Sequence, residues 1–436
     1  MMFPGDDPVS RRLAAIGHEF NHALALKLDR IEAALDALGR PHDRLPPTIH
    51  VAGTNGKGST CAFLRAIAEA AGLRTHVFSS PHLVRPNERV RLDGALVGDD
   101  AFIDAIDRVA ATGLTLTYFE AMTAAAFLLF AETPADMLVL EVGLGGLFDA
   151  TNVIARPAVA VIAPIDYDHT AILGATLTAI AGEKAGILKA GAPAVIARQP
   201  PEAMAVIEAR AQACGATLLR CGEAWDAWPA NGRLAVQTAD RLLDLPAPAL
   251  EGPHQFDNAG LAVAALMAWA DPRIDDAACA QGVRAAVWPA RMQRLTQGPF
   301  AERVQARGGD LWLDGGHNPH GARAVAATLR ALRARDPRPV VLVCGMLVTK
   351  DVEGFLAPLA PEADAFVAAP VRSAAGRAPA ELAALAAAHG IKASAEESID
   401  AAIETACVAT AAAPRILICG SLYLAGEVLA VSGGVA

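Results

Sequence analysis

The segment Gly53–Thr60, with the sequence GTNGKGST, contains the residue types that bind a phosphate group. Its glycines let the backbone curl so that successive N–H groups point inward at an anion. An apolar strand ending at Ala52 should precede it, and a helix should follow from Ser59, adding partial positive charge at its N-terminus. Lys57 adds a full charge, and the hydroxyl of Ser59 or Thr60 could bind Mg²⁺. We therefore predict a phosphate-binding loop; the alternative is a glycine-rich turn with a solvated lysine.

One glycine distinguishes this loop from the standard G-x-x-x-x-G-K-[ST] pattern, because Gly58 separates Lys57 from Ser59. The sequence G-T-N-G-K-G-S resembles the phosphate loop of the Mur ligase superfamily, and within it the folylpolyglutamate synthase/dihydrofolate synthase family. Enzymes of that family activate a carboxylate with ATP and couple it to an amino acid. The resemblance implies that Lys57 is catalytic. It also implies that these loop residues bind ATP: Thr54, Asn55, Gly56, Lys57, Gly58, Ser59 and Thr60.

The composition indicates a globular, multidomain protein. A chain of 436 residues is too long for one ordinary core, and 53% hydrophobic with 19% charged residues excludes a disordered chain. A net charge of −10 argues against nucleic-acid and anionic membrane partners. The seven cysteines lack C-x-x-C spacing, which indicates free thiols in a reducing compartment. We find no signal-peptide pattern and no run long enough to span a bilayer. We expect a cytoplasmic monomer.

Apolar runs alternate with helical patterns along the chain and predict an α/β fold. We expect a P-loop-containing, mostly parallel sheet in a Mur-ligase-like ATP-binding domain at 1–293, and a smaller Rossmann-like glutamate ligase domain at 294–436. An apolar stripe from Leu24 to Leu38 predicts a helix before the loop. The alanine-rich stretch Ala374–Ala395 also reads as helical.

Three polar residues follow three apparent strands and are candidates for Mg²⁺ ligands. Ser80 could equally be a turn residue, Glu141 a strand-end acid and His169 a capping or core histidine. Since Mg²⁺ prefers oxygen ligands, chemistry alone does not assign the histidine. The motifs S-S-P-H-L, E-V-G-L-G-G and D-H-T-A-I-L-G resemble the family's metal-binding motifs. The resemblance implies two Mg²⁺ sites with ligands among these residues: Ser59, Ser80, Glu141, His169 and Lys184.

Lys184 is included because the segment GEKAGILK resembles the one in which these enzymes carry a lysine carbamylated by CO₂. Carbamylation replaces an ammonium with a carboxylate that can bind a second Mg²⁺. The reaction needs a neutral amine and therefore favours a lysine whose pKa is lowered by burial. The alternative from the residues alone is a helix with exposed lysines.

Further nucleotide contacts are implied by the motifs H-Q-F-D-N-A, W-P-A-R-M-Q and D-G-G-H-N-P. Asn258 is expected to open a helix, where it could also be only a cap. Arg291 lies at the domain boundary and could reach the transferring phosphate when the domains close. The resemblance implies that Asn258, Arg291, Asp314 and His317 bind ATP. It also implies catalytic roles for Lys184, His169 and Arg291.

The carboxylate substrate is assigned by the same resemblance. The segments T-Y-F-E and F-D-A match the family's pteroate-binding segments, although Phe119 could equally be a core residue. The implied contacts are Thr117, Tyr118, Phe119, Glu120, Phe148, Asp149, Ala150, Leu83 and Arg89. The implied substrates are dihydropteroate, reduced folates and L-glutamate, with Asp166 and Asp168 as possible helpers in orienting the amine.

The expected reaction is glutamate ligation through an acyl phosphate, by a bifunctional enzyme that makes dihydrofolate and extends polyglutamate tails. Three alternatives stay open. The first is a Mur ligase of cell-wall nucleotides, which would need an additional N-terminal domain. The second is a P-loop NTPase switch or kinase, which the position of the hydroxyl residue disfavours. The third is a non-catalytic ATP-binding module.

Overall fold

The computed structural model describes residues 7–18 and 27–433. The chain divides into two compact units. Of the described residues, the larger unit contains those up to 249 together with 256–287, and the smaller unit contains 250–255 and 288–433. Both units are built on mostly parallel sheets, which confirms the predicted α/β class.

The strands of the larger unit form a central eight-stranded sheet and two small ones. The eight-stranded order is β10-β9-β8-β2-β7-β3-β4-β5, parallel except where β4 pairs with β3 and β5. Strand β2 lies in the middle of this sheet, so the residues that follow it emerge at the centre of one edge. The strands are β1 Gly17–His18, β2 Thr48–Ala52, β3 Thr75–Phe78, β4 Val90–Leu92, β5 Ala95–Leu96, β6 Leu116–Thr117, β7 Met137–Glu141, β8 Val159–Ile162, β9 Pro193–Ile196, β10 Thr217–Arg220, β11 Trp225–Ala230, β12 Arg233–Thr238 and β13 Leu242–Leu245.

Two apolar cores pack several of the helices of the larger unit onto this sheet. One core joins α1, α2, α4 and α5 to β3 and β7, and the other joins α7 and α8 to β8 and β9. Buried Ile31 and Leu35 confirm the apolar stripe before the loop, while Leu24 lies outside the described residues. The helices are α1 Pro8–Ile16, α2 Asp29–Ala37, α3 Lys57–Ala70, α4 Asp99–Ala110, α5 Tyr118–Glu132, α6 Thr170–Leu173, α7 Leu177–Ala185, α8 Pro201–Cys214, α9 His254–Trp269 and α10 Asp276–Ala285.

The smaller unit is a six-stranded α/β sheet with the order β14-β15-β19-β16-β17-β18, in which only β14 runs antiparallel to its neighbour. Its strands are β14 Gln293–Leu295, β15 Asp310–Leu313, β16 Val340–Cys344, β17 Ala365–Ala368, β18 Ala393–Ala395 and β19 Arg415–Cys419. Its helices are α11 Pro299–Gln305, α12 Pro319–Arg335, α13 Val352–Leu359, α14 Pro379–Ala388, α15 Ile399–Val408 and α16 Leu422–Val431.

Two parts of the fold differ from the sequence-based expectation. The stretch Ala374–Ala395 is helical only over α14, because Pro379 starts the helix and Gly390, with φ +81°, follows its end. The remainder is loop and strand β18, so the prediction of one helical segment was wrong. The antiparallel sheet β11-β12-β13 was not foreseen.

The longest helix in the described ranges, α12, has 17 residues. None of the helices described here has both the length and the apolar character needed to cross a membrane. All seven cysteines are free thiols, as expected. Cys344 and Cys419 face each other across β16 and β19 and are completely buried, as are Cys61 in α3 and Cys279 in α10.

Candidate functional site

The phosphate loop connects the centre of the larger sheet to α3. The turn needs left-handed or near-extended backbone at Gly53 (φ +149°) and Gly56 (φ +86°). Helix α3 begins at Lys57, two residues before the expected start at Ser59, and Gly56 is its N-cap. The first amides of α3 therefore have no partner within the helix and can bind an anion. Lys57 Nζ donates to the carbonyl oxygens of Gly53 (3.1 Å) and Thr54 (3.3 Å).

Asn258 contacts this loop, but not as a helix cap. A Cβ on Gly56 would lie 2.5 Å from Asn258 Oδ1, so the glycine is needed for this close approach. The expectation that Asn258 opens a helix was wrong, because the chain already enters α9 at His254, directly after Gly252 and Pro253. Asn258 therefore lies in the second turn, buried against the phosphate loop.

The amides of Thr54 and Asn55 are directed away from the phosphate-binding turn. Both donate to the carbonyl of Pro164, at 2.9 and 3.4 Å. The Thr54 hydroxyl donates to the carbonyl of Asp166 (2.9 Å) and accepts from its amide (3.1 Å). These contacts fix the start of the loop on the segment after β8. Nucleotide binding by Thr54 and Asn55 stays a prediction.

Lys184 lies beneath the same loop. Its side chain is buried, and Nζ donates to Gly53 O at 3.0 Å, so Lys57 and Lys184 share one carbonyl oxygen. The pKa of Lys184 is lowered from 10.5 to about 7, chiefly by burial and also by the charge of Lys57, while Asp168 opposes the shift. A solvent-exposed lysine is thereby excluded at this position. A large fraction of the amine is neutral near pH 7, as CO₂ addition requires.

The turn after β7 holds the lysine in place by close backbone packing. A Cβ on Gly146 would lie 2.6 Å from Glu183 O, and one on Gly186 would lie within 3.0 Å of Leu147. Leu147 N donates to Glu183 O at 2.7 Å. Asn152 then bridges the two segments by donating to Leu147 O and to the carbonyl of Gly186. The end of α7 is therefore fixed against this turn.

The metal-ligand candidates lie at the same edge of the sheet as the loop. Glu141 ends β7, next to β2, and its Oε2 accepts a hydrogen bond from Ser80 N at 3.2 Å. Ser59 and Glu141 are each 2% exposed. His169 is the N-cap residue of α6, with φ +52°, and its Nε2 lies 4.0 Å from Asp168 Oδ2. Ser80 and Glu141 are thus in direct contact.

The donor set decides which metal suits this edge. Across residues 7–18 and 27–433, no three His, Cys, Asp or Glu side chains cluster as a ready-made metal site. A hydroxyl and a buried carboxylate are the oxygen donors that Mg²⁺ takes when phosphate oxygens and water supply the rest. The residues therefore fit a Mg²⁺ that arrives with a nucleotide. The ligand assignments themselves stay predictions.

Two of the expected pteroate contacts have local structural roles. Thr117 and Glu120 form a capping box at the start of α5: Thr117 Oγ1 accepts from Glu120 N (3.2 Å), and Thr117 N donates to Glu120 Oε2 (2.7 Å). The Glu120 carboxylate also accepts two hydrogen bonds from Arg30, at 2.8 and 3.1 Å. These residues define how α5 begins, and therefore where Tyr118 and Phe119 lie.

Phe119 lies against the turn after β7. A Cβ on Gly143 would come within 3.0 Å of the Phe119 ring, and the ring centroids of Phe119 and Phe78 are 5.9 Å apart. Tyr118 and Phe119 are both half-buried. An aromatic surface with one side partly open suits a flat ring, and binding of pteroate by Tyr118 and Phe119 stays a prediction.

The loop between β3 and β4 is organised by an acid that the sequence analysis did not single out. The Glu88 carboxylate accepts from the amides of Leu83, Val84 and Arg85 at 2.6–2.8 Å. A proline at the start of a short helix with an acid two residues later is a capping pattern, and Pro86 with Glu88 could have indicated it. Leu83 is held in this turn, half-buried.

Arg89, in the same loop, is buried and donates from Nε to His82 Nδ1 at 2.8 Å. Burial, with the adjacent guanidinium, lowers the pKa of His82 well below its usual range, so the ring is neutral and accepts at Nδ1. Burial raises the pKa of Tyr118, and the charge of Arg89 acts in the opposite direction by lowering it. Arg89 and Tyr118 therefore lie close together.

The segment Phe148–Ala150 contains two buried residues and one accessible residue. Asp149 is buried; its Oδ2 accepts from Leu144 N (2.8 Å) and its Oδ1 from Thr151 N (3.0 Å). Burial raises the pKa of Asp149 and these hydrogen bonds oppose the rise. Ala150 is also buried, whereas Phe148 is 42% exposed. Asp149 stabilises its own turn, and Phe148 presents the accessible surface.

In the smaller unit, three of the expected nucleotide contacts meet at the end of β15. Asp314 is buried and accepts from Gly316 N (2.7 Å) and Met292 N (2.8 Å). Burial raises its pKa, while the Arg291 charge is the largest opposing effect. His317 Nδ1 lies 2.8 Å from Gly315 O. Arg291, Asp314 and His317 therefore form one cluster.

Two family models match this chain, one mainly in the larger unit and one in the smaller unit. Residues 51–266 match the family model of the Mur ligase middle domain, and residues 301–422 match that of the Mur ligase glutamate ligase domain. The chain is 38% identical over 374 residues to the dihydrofolate synthase/folylpolyglutamate synthase of Mycobacterium tuberculosis, covering 78% of this chain and 73% of that protein. It is 34% identical to the Escherichia coli protein of the same name, covering 97% and 95%.

Solved structures show the same likeness over nearly the whole chain. The structure of E. coli FolC in complex with DHPP and ADP matches with a TM-score of 0.86 and 33% identity, covering 98% of each chain. The Yersinia pestis bifunctional folylpolyglutamate synthase/dihydrofolate synthase with Mn, AMPPNP and L-glutamate bound matches with a TM-score of 0.84 and 34% identity, covering 99% of each.

Proposed function

Because the chain belongs to the dihydrofolate synthase/folylpolyglutamate synthase family of Mur ligases, we propose how its residues perform that family's reaction. The protein is an ATP-dependent ligase that joins L-glutamate to dihydropteroate and to folates. The observation that carries the mechanism is the pair of lysines, Lys57 and Lys184, on one carbonyl oxygen of the phosphate loop.

The reaction proceeds in two steps. The substrate carboxylate attacks the γ-phosphorus of ATP, which releases ADP and forms an acyl phosphate. The neutral amino group of glutamate then attacks the acyl carbon; the tetrahedral intermediate expels phosphate, the nitrogen loses a proton, and an amide results. In-line placement of carboxylate and phosphate supplies much of the rate enhancement.

The phosphate loop binds and orients the transferred group. The first amides of α3 bind the phosphates, and the Lys57 ammonium stabilises the charge that develops during transfer. Ser59, Ser80, Glu141 and His169 would hold Mg²⁺, which would supply further neutralisation of phosphate charge. In the smaller unit, Arg291, Asp314 and His317 contact the nucleotide, and Asn258 does so beside Gly56.

Lys184 is the site of carbamylation in this proposal. The ammonium first loses a proton; the neutral amine then adds to CO₂, which forms an N–C bond and releases a second proton, so the side chain changes overall from a cation to an anion. The support is its burial together with a pKa of about 7. A carboxylate at this position suits a second Mg²⁺ near the phosphates.

The pteroate substrate lies on the aromatic and apolar surface of the larger unit. Phe119, Tyr118, Phe148 and Leu83 offer ring-sized contacts, and Arg89 offers a positive charge. Four other expected contacts act by shaping that surface from beneath, and these are Thr117, Glu120, Asp149 and Ala150.

The test is glutamate-dependent phosphate release from MgATP, with dihydropteroate and a reduced folate offered separately. We expect turnover with both substrates, and its loss in Lys57→Met. Turnover with dihydropteroate alone would restrict the enzyme to dihydrofolate synthesis. Silence with both, in protein that binds ATP, would refute the function and favour the non-catalytic module.

A further inference from the structure

The segment 163–166, which follows β8, forms the floor of the phosphate loop. Strand β8 pairs with β2, and Ala163 N extends this pairing by donating to the carbonyl of Ala52 at 2.8 Å. A Cβ on Gly53 would lie 2.7 Å from Ala163 Cβ, so the two segments are in direct backbone contact. Thr54 is bonded to the same floor through its amide and its hydroxyl. A shift of the floor therefore shifts the loop.

Gln199 is the side chain that supports this floor from the neighbouring strand. It lies three residues beyond β9, and its Oε1 accepts from Ile165 N at 2.9 Å. Its Nε2 donates to Ala163 O at 3.1 Å, with Ile162 O at 3.4 Å. A carboxamide offers both a donor and an acceptor, and the polarity of these partners fixes its orientation. The sequence analysis gave Gln199 no role.

Other hydrogen bonds of the floor are made with Ala52 and with the phosphate loop itself. Strand β8 ends at Ile162, and Pro164 has no N–H to donate. The amide of Ile165, a residue that is 2% exposed, is satisfied by Gln199, and that of Asp166 by the Thr54 hydroxyl. Since unpaired buried backbone groups are costly, loss of the carboxamide favours a rearrangement of the segment.

We propose that Gln199 is a positioning residue for ATP, which fixes the floor segment 163–166 and thereby the conformation of the phosphate loop. The proposal deepens the proposed function and rests on it. Gln199 acts through Ile165, Ala163 and Thr54 and touches no reacting atom. The same segment leads to His169, so the position of the segment also determines the position of the His169 backbone.

Two variants separate hydrogen bonding from packing. Gln199→Met keeps the length of the side chain without either hydrogen bond. We expect about tenfold weaker ADP binding and an equal rise in KM for ATP, with a smaller change in kcat. The matched control is Gln212→Met, which changes an exposed glutamine on α8 and should leave both values unchanged. Isothermal titration with ADP and steady-state kinetics measure these effects.

Gln199→Glu gives a signature that a purely structural role would not. It keeps an acceptor for Ile165 N, but its carboxylate faces Ala163 O without a proton to donate. A protonated carboxyl restores the donor, so the ADP-binding defect of Gln199→Glu should shrink as the pH falls towards 5.5, whereas that of Gln199→Met should not. Hydrogen exchange at Ile165 N–H should accelerate in Gln199→Met, which has no acceptor for it, at pH 8 without nucleotide.

Wild-type ADP affinity in Gln199→Met, together with unchanged exchange at Ile165 N–H, would overturn the proposal. Should Gln199→Met fail to fold, a pH-independent defect in Gln199→Glu would overturn it equally. Failure of the proposed function has a different appearance: wild-type protein would bind ADP without ligase turnover. The ADP and exchange measurements would then still decide the role of Gln199.

Discussion

Replacing Lys184 with methionine should change how the stability of the larger unit depends on pH. The pKa of this lysine falls from 10.5 in the unfolded chain to about 7 in the fold. Between these values the unfolded chain binds more protons than the native protein, so native stability rises with pH. The lysine therefore destabilises the fold fully below about pH 7, and this penalty disappears as the pH approaches 10.5.

The size of the effect follows from the two pKa values. A drop from 10.5 to about 7 corresponds to a penalty of about 5 kcal/mol at low pH. Between pH 7.5 and 9.5 the penalty should fall by about 2.5 kcal/mol. Lys184→Met has no such penalty, although it loses the hydrogen bond to Gly53 O. The variant should be the more stable protein at pH 7, and its advantage should narrow by that amount over these two pH units.

The assay is urea-induced unfolding of both proteins at several pH values, in CO₂-free buffer without metal or nucleotide, so that no carbamate forms. Exposed Lys392 provides the control, since Lys392→Met should follow the wild-type pH dependence. If wild type and Lys184→Met changed in parallel from pH 7.5 to 9.5, Lys184 would be an ordinary hydrated lysine. The argument for its reaction with CO₂ would then fail.

Three further predictions concern the rest of the site. Gly143→Ala forces Phe119 to move, so the free energy of unfolding should fall by about 1–3 kcal/mol and KM for dihydropteroate should rise. The control is Gly182→Ala, in open space on α7, which should be neutral or stabilising. Equal losses of unfolding free energy in the two variants would refute the packing argument. Glu141→Gln should raise the Mg²⁺ concentration for half-maximal turnover on the order of tenfold, and an unchanged metal titration would exclude Glu141 as a ligand. Asp314→Asn places the side-chain NH₂ of the new asparagine opposite a backbone N–H donor, so the free energy of unfolding, measured by thermal denaturation, should fall by about 1–3 kcal/mol. An unchanged free energy of unfolding would mean that the Asp314 side chain rotates freely and does not hold these two amides.

The strands around the site could be predicted because buried parallel strands read as continuous apolar runs. Strands β7 at Met137–Glu141 and β19 at Arg415–Cys419 are two such runs. Each run is followed by a glycine-rich or charged turn. The order of motifs along the chain therefore indicated which side chains meet at one edge.

Contacts between distant segments could not be predicted. The capping box at Thr117 is completed by Arg30, which is 90 residues from Glu120, and nothing in T-Y-F-E indicates this partner. Asn258 contacts Gly56 from a helix that starts earlier than its polar side chain suggested. Gln199 carries no motif. Its role depends on the backbone groups of Ala163 and Ile165, which come close to Gln199 only when β8 and β9 pair.

Because most of the cysteines are buried, the rates at which they are alkylated report local opening of the structure. Cys344 and Cys419 lie opposite each other inside the smaller sheet, and a thiol reagent can reach them only when that sheet opens. Cys61 and Cys279 are sealed within the larger unit. The half-exposed Cys214 should react first in folded protein, whereas Cys221, whose pKa burial raises to about 12, should react more slowly. Peptide-resolved alkylation rates would therefore show which unit loosens first under heat or urea, without any engineered label.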